Sequence, residues 1–207
     1  VHIIGHSMGG LDARQMIVDG GMANSVASLT TIGTPHRGTS FADWGLAHGG
    51  DAAIKMMRKI VDLDGFLTLT TASRQAFNER AESHEAANDV FYQTYASAEA
   101  KENIFGLLRF SWQIITDREG ANDGLVPVSS QQWTGELKGS NGVTKQVVQH
   151  TFPMPADHLN QIGWWDIEEL NQPEWWKLNF IAEKRKFETA VRQVYLQIAN
   201  DVSALSL

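Results

Sequence analysis

Val1-His2-Ile3-Ile4-Gly5-His6-Ser7-Met8-Gly9-Gly10-Leu11-Asp12 is the stretch on which the fold turns. A β-branched run stops at a glycine, a polar pair follows, and two more glycines lead into a helical pattern from Leu11 to Val18, so the order is strand, sharp turn, helix. Ser7 stands at the apex. The spacing Gly5-x-Ser7-x-Gly9 is what a nucleophile elbow needs, because the turn strains the serine backbone and a side chain at either flanking position would collide with the neighbouring strand or helix. The same turn places the N–H of Met8 beside any oxyanion formed on Ser7. An ordinary glycine turn has the same three fixed residues; the strand before it and the helix after it are what favour the elbow.

With 207 residues, 43% hydrophobic and 20% charged, the chain has enough material for one α/β domain with a sizeable core. A net charge of −7 leaves no basic stripe to neutralise phosphates, which argues against nucleic acid as a partner. Cysteine is absent, excluding disulfides and thiolate metal sites while leaving the compartment undecided. No run reaches the roughly 18 apolar residues of a spanning helix, and no signal peptide is visible. Because Val1 begins inside what reads as a central strand, the expectation is a C-terminal piece of a mostly parallel sheet. Its earlier strands and the second oxyanion donor would then lie upstream.

Downstream, Val26 to Gly33 is a second β-rich run ending at Thr34-Pro35-His36-Arg37-Gly38-Thr39, where parallel sheets put their sites. His36 reads as a locally bonded loop histidine rather than a reacting one. From Trp44 to about residue 104 the chain reads as helical, with Ile54, Met57, Ile60 and Val61 at helical spacing. That region is expected to form a helical cap or lid; a stripe of this kind is otherwise plain core. Phe105 to Thr116 reads as strand, with Trp112 to Thr116 as its best part, and a polar loop from Asp117 to Gly124 follows. Asp123 and Asp117 are rival carboxylates, since turn chemistry cannot choose between them.

Val143 to Thr151 reads as a strand leading into Phe152-Pro153-Met154-Pro155-Ala156-Asp157-His158-Leu159-Asn160-Gln161. Ser7, Asp123 and His158 follow the order nucleophile, acid, histidine that serine hydrolases of this architecture use. His150, at a strand end, reads as a packed or edge residue. Ile181, Phe187, Val191, Val194, Tyr195 and Ile198 make the apolar face of a closing helix. Ahead of it, the pairs Trp164-Trp165 and Trp175-Trp176 read as packing, with an aromatic rim near His158 as the functional alternative. No internal repeat or low-complexity tract appears.

Four motifs in order, Gly5-His6-Ser7-Met8-Gly9-Gly10, Thr30 to Gly38, Asn122-Asp123-Gly124-Leu125-Val126 and Asp157-His158-Leu159-Asn160-Gln161, together resemble the triacylglycerol lipases of bacteria and fungi. The resemblance implies an α/β-hydrolase fold with Ser7 as nucleophile, Asp123 as acid, His158 as base and a helical lid after the Thr-Pro-His-Arg-Gly turn. Several bacterial members bind calcium through an aspartate two positions after the histidine. Asn160 stands there, so no calcium and no other cofactor is expected. The implied partner is a lipid or another carboxylic ester, at a lipid–water interface. Soluble esterase or thioesterase activity is the rival reading, and a hydrolase-like binding module without catalysis is the third.

Overall fold

Every residue of Ser28–Ile32 is buried, as a strand must be when it has partners on both edges and helices on both faces. In the computed structural model, which describes residues 1–48, 63–140, 142–164 and 177–205, this segment is β2 of a four-stranded parallel sheet. The sheet has the order β1-β2-β3-β6, with β1 at His2–His6, β3 at Phe91–Ala96 and β6 at Val148–Thr151. Registers are continuous, Gly5 opposite Thr31, Thr31 opposite Thr94 and Thr94 opposite Gln149. A small antiparallel pair, β4 (Glu136–Lys138) and β5 (Thr144–Gln146), lies outside the sheet.

Side chains alternate across the sheet, so each face has its own core. Leu29 and Tyr92 join Ala13 and Ile17 of helix α1 (Met8–Val18) and Ala86 of helix α4 (Thr71–Ala87) on one face. Ile32 and Tyr95 meet Val194 and Ile198 of the closing helix α7 (Lys177–Ser203) on the other. Fully burying one such aliphatic side chain contributes about 1.5–3 kcal/mol. A third cluster, including Leu11, Phe41, Phe66, Leu108, Ile115 and Leu125, ties α1 to helices α2 (Ser40–Ala47), α3 (Leu63–Thr68) and α5 (Arg109–Glu119). A last short helix, α6, covers Val128–Gln131.

Besides Val143 to Thr151, expected as one strand and divided between β5 and β6 of separate sheets, two elements differ from the sequence expectation. Trp112 to Thr116, expected as strand, lies inside helix α5. Leu108, Ser111 and Ile115 recur at helical spacing and are fully buried, while the Ser111 hydroxyl donates to Leu108 O and Gly124 O. This packing overrides the β preference of Ile114-Ile115-Thr116, and Gly120, at φ 86, ends the helix by donating its N–H to the carbonyls of Ile115 and Thr116. The second difference concerns the cap expected over about 44–104. Phe91–Ala96 is β3, between β2 and β6 in the sheet, and α4 packs on that sheet. The alternation that hid the strand is Tyr92 to one face and Tyr95 to the other, with Gln93 and Thr94 buried between them and Gln93 bonded to Thr30. The Ile54 to Val61 stripe lies outside the described residues.

Candidate active site

The turn after β1 holds Ser7 at φ 53 and ψ −127, a conformation that costs an L-residue of order 1–3 kcal/mol and persists only when its surroundings impose it. Here the surroundings are backbone. The Ser7 N–H donates to Ile32 O at 3.0 Å, across the end of β2, and Ser7 O accepts from the Gly10 N–H at 3.1 Å. A Cβ on Gly5 would lie 2.8 Å from the Cα and N of Gly10, so the strand and helix can approach only because residue 5 is glycine. The collision expected at Gly9 is absent: a Cβ there meets nothing within 4 Å, and the crowded position is instead Gly10, whose Cβ would stand 2.2 Å from Thr34 Oγ1. Met8 opens α1, so its N–H has no carbonyl one turn earlier in that helix to bond with.

The loops after β6 and α5 close on this turn. His158 Nδ1 lies 2.8 Å from Asp123 Oδ2, and its Nε2 lies 2.8 Å from Ser7 Oγ. A carboxylate can only accept, so Nδ1 carries the proton and donates to Asp123, leaving Nε2 to accept from the Ser7 hydroxyl. The His158 N–H also donates to Asp123 O at 2.8 Å. Residues 151 positions apart in the chain are thus joined through one imidazole that is 2% exposed, beside a fully buried carboxylate. Asp117, the rival acid, sits exposed on α5 and accepts from the Gln113 amide. His150 lies on the edge strand β6, bonded to Gln93 and stacked on Tyr95. His36 is fully buried between Thr31 Oγ1 at 2.9 Å and the Arg14 guanidinium, and burial together with the Arg14, Arg74 and Arg37 charges drives its pKa well down.

Asp123 is fixed by more than its histidine. Oδ1 accepts from the N–H groups of Leu125 and Val126 at 3.0 and 2.8 Å, and Oδ2 also accepts from Gln161 Nε2 at 2.9 Å. Gln161 in turn requires Gly33 beneath it, where φ is 57 and a Cβ would stand 2.1 Å from Gln161 Oε1. The histidine loop has its own clamps. Asp157 accepts from the N–H groups of Leu159, Asn160 and Phe105, with burial pushing its carboxyl up against those bonds. Ser97, just past β3, donates to Ala156 O and accepts from Ala156 N–H. Gln131 joins Ser97 to Val126 O, so the acid turn and the histidine loop hang on the same sheet end.

Ser97 and Gln131 belong to no motif read from the sequence, and Asp157 and Gln161 stand in the His158 motif without an assigned role, because each acts through a partner distant in the chain. His6 belongs with them. Its ring packs 4.6 Å from the His158 ring, and burial, reinforced by His158, lowers its pKa from the usual 6.5 to about 3. His6 in the fold is therefore neutral down to about pH 3.

Asn160, the position of the family's calcium aspartate, is 3% exposed; its Oδ1 accepts from the Asp157 N–H and its Nδ2 donates to Trp164 O. A neutral amide spent on its own loop does not suit a hard cation. Among the described residues no group of three or more histidine, aspartate or glutamate side chains is placed to hold a metal ion. Around the serine lie Met8 and Leu159, both packed on the Leu11–Phe41 cluster with Phe105, whose ring meets Trp164 edge-on at 4.8 Å. Trp164, expected as packing, is 41% exposed near the histidine loop, as the alternative aromatic rim would have it; Trp165, Trp175 and Trp176 lie outside the described residues.

Over residues 1–49 the chain matches a family model described as a PGAP1-like alpha/beta domain. It is similar to triacylglycerol lipase 2 of Saccharomyces cerevisiae, with 30% identity over 209 residues, covering 98% of this chain and 57% of that protein. The chain therefore spans little more than half the length of that relative. Among solved structures, the mature lipase of Bacillus licheniformis aligns at a TM-score of 0.58 and 21% identity, over 76% of this chain and 58% of that one. Lipase 1 from Pelosinus fermentans aligns at a TM-score of 0.58 and 18% identity, over 100% of this chain and 72% of that one. At such identities these two likenesses establish the α/β-hydrolase fold.

Proposed function

We propose that the chain, similar to a triacylglycerol lipase over 98% of its own length, is a serine carboxylic-ester hydrolase of the lipase family that cleaves acylglycerols through an acyl-serine intermediate. One observation carries the reading: the unbroken line from Ser7 Oγ through His158 to Asp123, 2.8 Å at each step, built on a strained elbow. His158 Nε2 takes the Ser7 proton as Oγ attacks the ester carbonyl, and the resulting oxyanion accepts from the Met8 N–H. As the carbon–oxygen bond of the ester breaks, the proton passes from His158 to the leaving alcohol. Water then gives a proton to His158 and its oxygen to the acyl carbon, the Ser7 ester breaks, and the proton returns to Oγ with release of the free acid. Asp123 holds the imidazole in the tautomer that accepts from Ser7 and stabilises the imidazolium formed in between. No step requires a metal.

Met8 follows Ser7, and the apolar Leu159, Phe105 and Trp164 pack about the histidine loop; this setting supports a long acyl chain and contact with a lipid–water interface. Among the described residues no helix is long and apolar enough to cross a membrane. The test is labelling with a fluorophosphonate alongside hydrolysis of emulsified and dissolved esters. Labelling should map to Ser7, and Ser7→Ala should abolish both labelling and turnover. Preference for the emulsion favours a lipase over a soluble esterase or thioesterase. An unlabelled Ser7 with no turnover would leave only a binding module, and full activity in Ser7→Ala would refute Ser7 as the nucleophile.

A further inference from the structure

Two arginines of the same core have opposite fates. Arg14 is fully buried, and its Nε and Nη2 donate in parallel to the two carboxylate oxygens of Glu85 at 2.8 and 2.9 Å. Arg74, on α4, is 5% exposed, yet its Nε and Nη2 have no hydrogen-bond partner among the described residues. Arg80 completes the group and is paired at the surface with Asp19 at 2.7 Å. All three guanidinium groups surround the Phe77 ring, at 4.9, 4.4 and 4.6 Å from its centroid for Arg14, Arg74 and Arg80. Glu85 neutralises the first and Asp19 the third. Arg74 alone has no carboxylate hydrogen-bonded to it among the described residues, and burial, with the charges of Arg14 and Arg80, lowers its pKa to about 10 against the weaker opposing pull of Glu85 and Asp12.

Arg74 borders a cavity of about 410 Å³ between α1, α3 and α4, whose walls include the apolar side chains of Met8, Leu11 and Phe77. Arg80 lines it too, and one carboxylate, the exposed Asp12, stands at its edge without an ion pair to Arg74. A buried cation with an unpaired donor fork is costly unless an anion neutralises it, and the fork of an arginine matches a carboxylate in two parallel bonds. We propose that this cavity binds a carboxylate-bearing ligand with a short aliphatic chain, Arg74 receiving the carboxylate as Arg14 receives Glu85 and the apolar wall covering the chain. The released acid of the proposed reaction has this chemistry, but the site depends on Arg74 and not on Ser7.

Titration calorimetry with sodium octanoate tests it, with octanol and inorganic phosphate as controls. Octanoate should bind the unaltered chain and Ser7→Ala alike, so that failure of the hydrolase reading leaves this result standing. It should bind Arg74→Met at least tenfold more weakly, with Arg74→Lys in between, because lysine keeps the charge and loses the fork. Thr68→Trp, which enlarges an exposed residue lining the cavity, should abolish binding with Arg74 intact and guards against a misfolded Arg74 variant. Equal octanoate affinity in Arg74→Met or in Thr68→Trp would overturn the placement. Octanol binding as tightly as octanoate, or phosphate displacing octanoate at equal concentration, would overturn the carboxylate assignment.

Discussion

Replacing Gln161 by methionine tests whether Asp123 works through its orientation. The side chain keeps nearly the same volume, so no cavity opens, but the Nε2–H that Asp123 Oδ2 accepts at 2.9 Å is removed. A hydrogen bond to a charged group contributes about 1.5–3 kcal/mol. The lower end applies here, because Asp123 keeps the N–H groups of Leu125 and Val126 on Oδ1 and His158 on Oδ2. A loss of about 1.5 kcal/mol lowers the melting temperature by roughly 3–6 °C for a domain of this size. Two kinetic effects should accompany it. A carboxylate held by one donor fewer orients the imidazole less well, so kcat/KM should fall about tenfold, the equivalent of about 1.4 kcal/mol. A carboxylate with one donor fewer is also more basic and stabilises the imidazolium more, so the acid limb of the pH profile should move to higher pH. Urea unfolding and a pH series on a dissolved chromogenic ester measure all three. A chain that loses stability while keeping its rate and its acid limb would show Gln161 to be packing alone, and the account of Asp123 as an orienting group held on both oxygens would be wrong.

Acid should destabilise the fold through its neutral histidines. His6 takes up no proton in the fold between pH 6.5 and about 3, whereas the unfolded chain does, so stability falls as pH drops below 6.5. From pH 7 to pH 5 His6 alone accounts for about 2 kcal/mol of loss, at about 1.4 kcal/mol per pH unit, and His36 adds to it in the same direction. Unfolding curves of His6→Phe at both values should show a pH dependence smaller by that amount; an unchanged slope refutes the burial of His6 as its cause. Glu85→Gln should strand the buried Arg14 guanidinium and cost about 3–5 kcal/mol in denaturant unfolding, and a cost below about 1 kcal/mol would mean that Trp133, 3.9 Å beneath that guanidinium, suffices to hold it.

Sequence reading succeeded where one local rule decides. Gly5, Ser7 and the helix after them spell the elbow because a strand-to-helix reversal this tight leaves few residue choices, and the closing helix is legible from the spacing of Val191, Val194 and Ile198. It failed where distant contacts decide. Trp112 to Thr116 has the composition of a strand and becomes helix because Leu108, Ser111 and Ile115 find partners along one helical face. Phe91–Ala96 was hidden within an expected cap because its two tyrosines serve opposite faces of a sheet whose other strands lie elsewhere in the chain.

The same division runs through the site. Chain order alone offered Ser7, Asp123 and His158, and only resemblance to a family set Asp123 above Asp117, since both are carboxylates near a turn. What singles out Asp123 physically is the meeting of two loops at the ends of a parallel sheet, where a 2.8 Å contact to His158 is possible from one carboxylate, while the other accepts from a neighbour on its own helix. The crowding at Gly10 rather than Gly9, the support from Gln161 and the unpaired fork of Arg74 are likewise invisible along the chain. By itself, then, the sequence determined the elbow, the parallel α/β class and the residues available for the chemistry, because these follow from local sterics and periodicity. Tertiary structure alone decided which polar groups are held, neutralised or left without a partner, because hydrogen bonds and desolvation depend on distances between segments that the chain order does not encode.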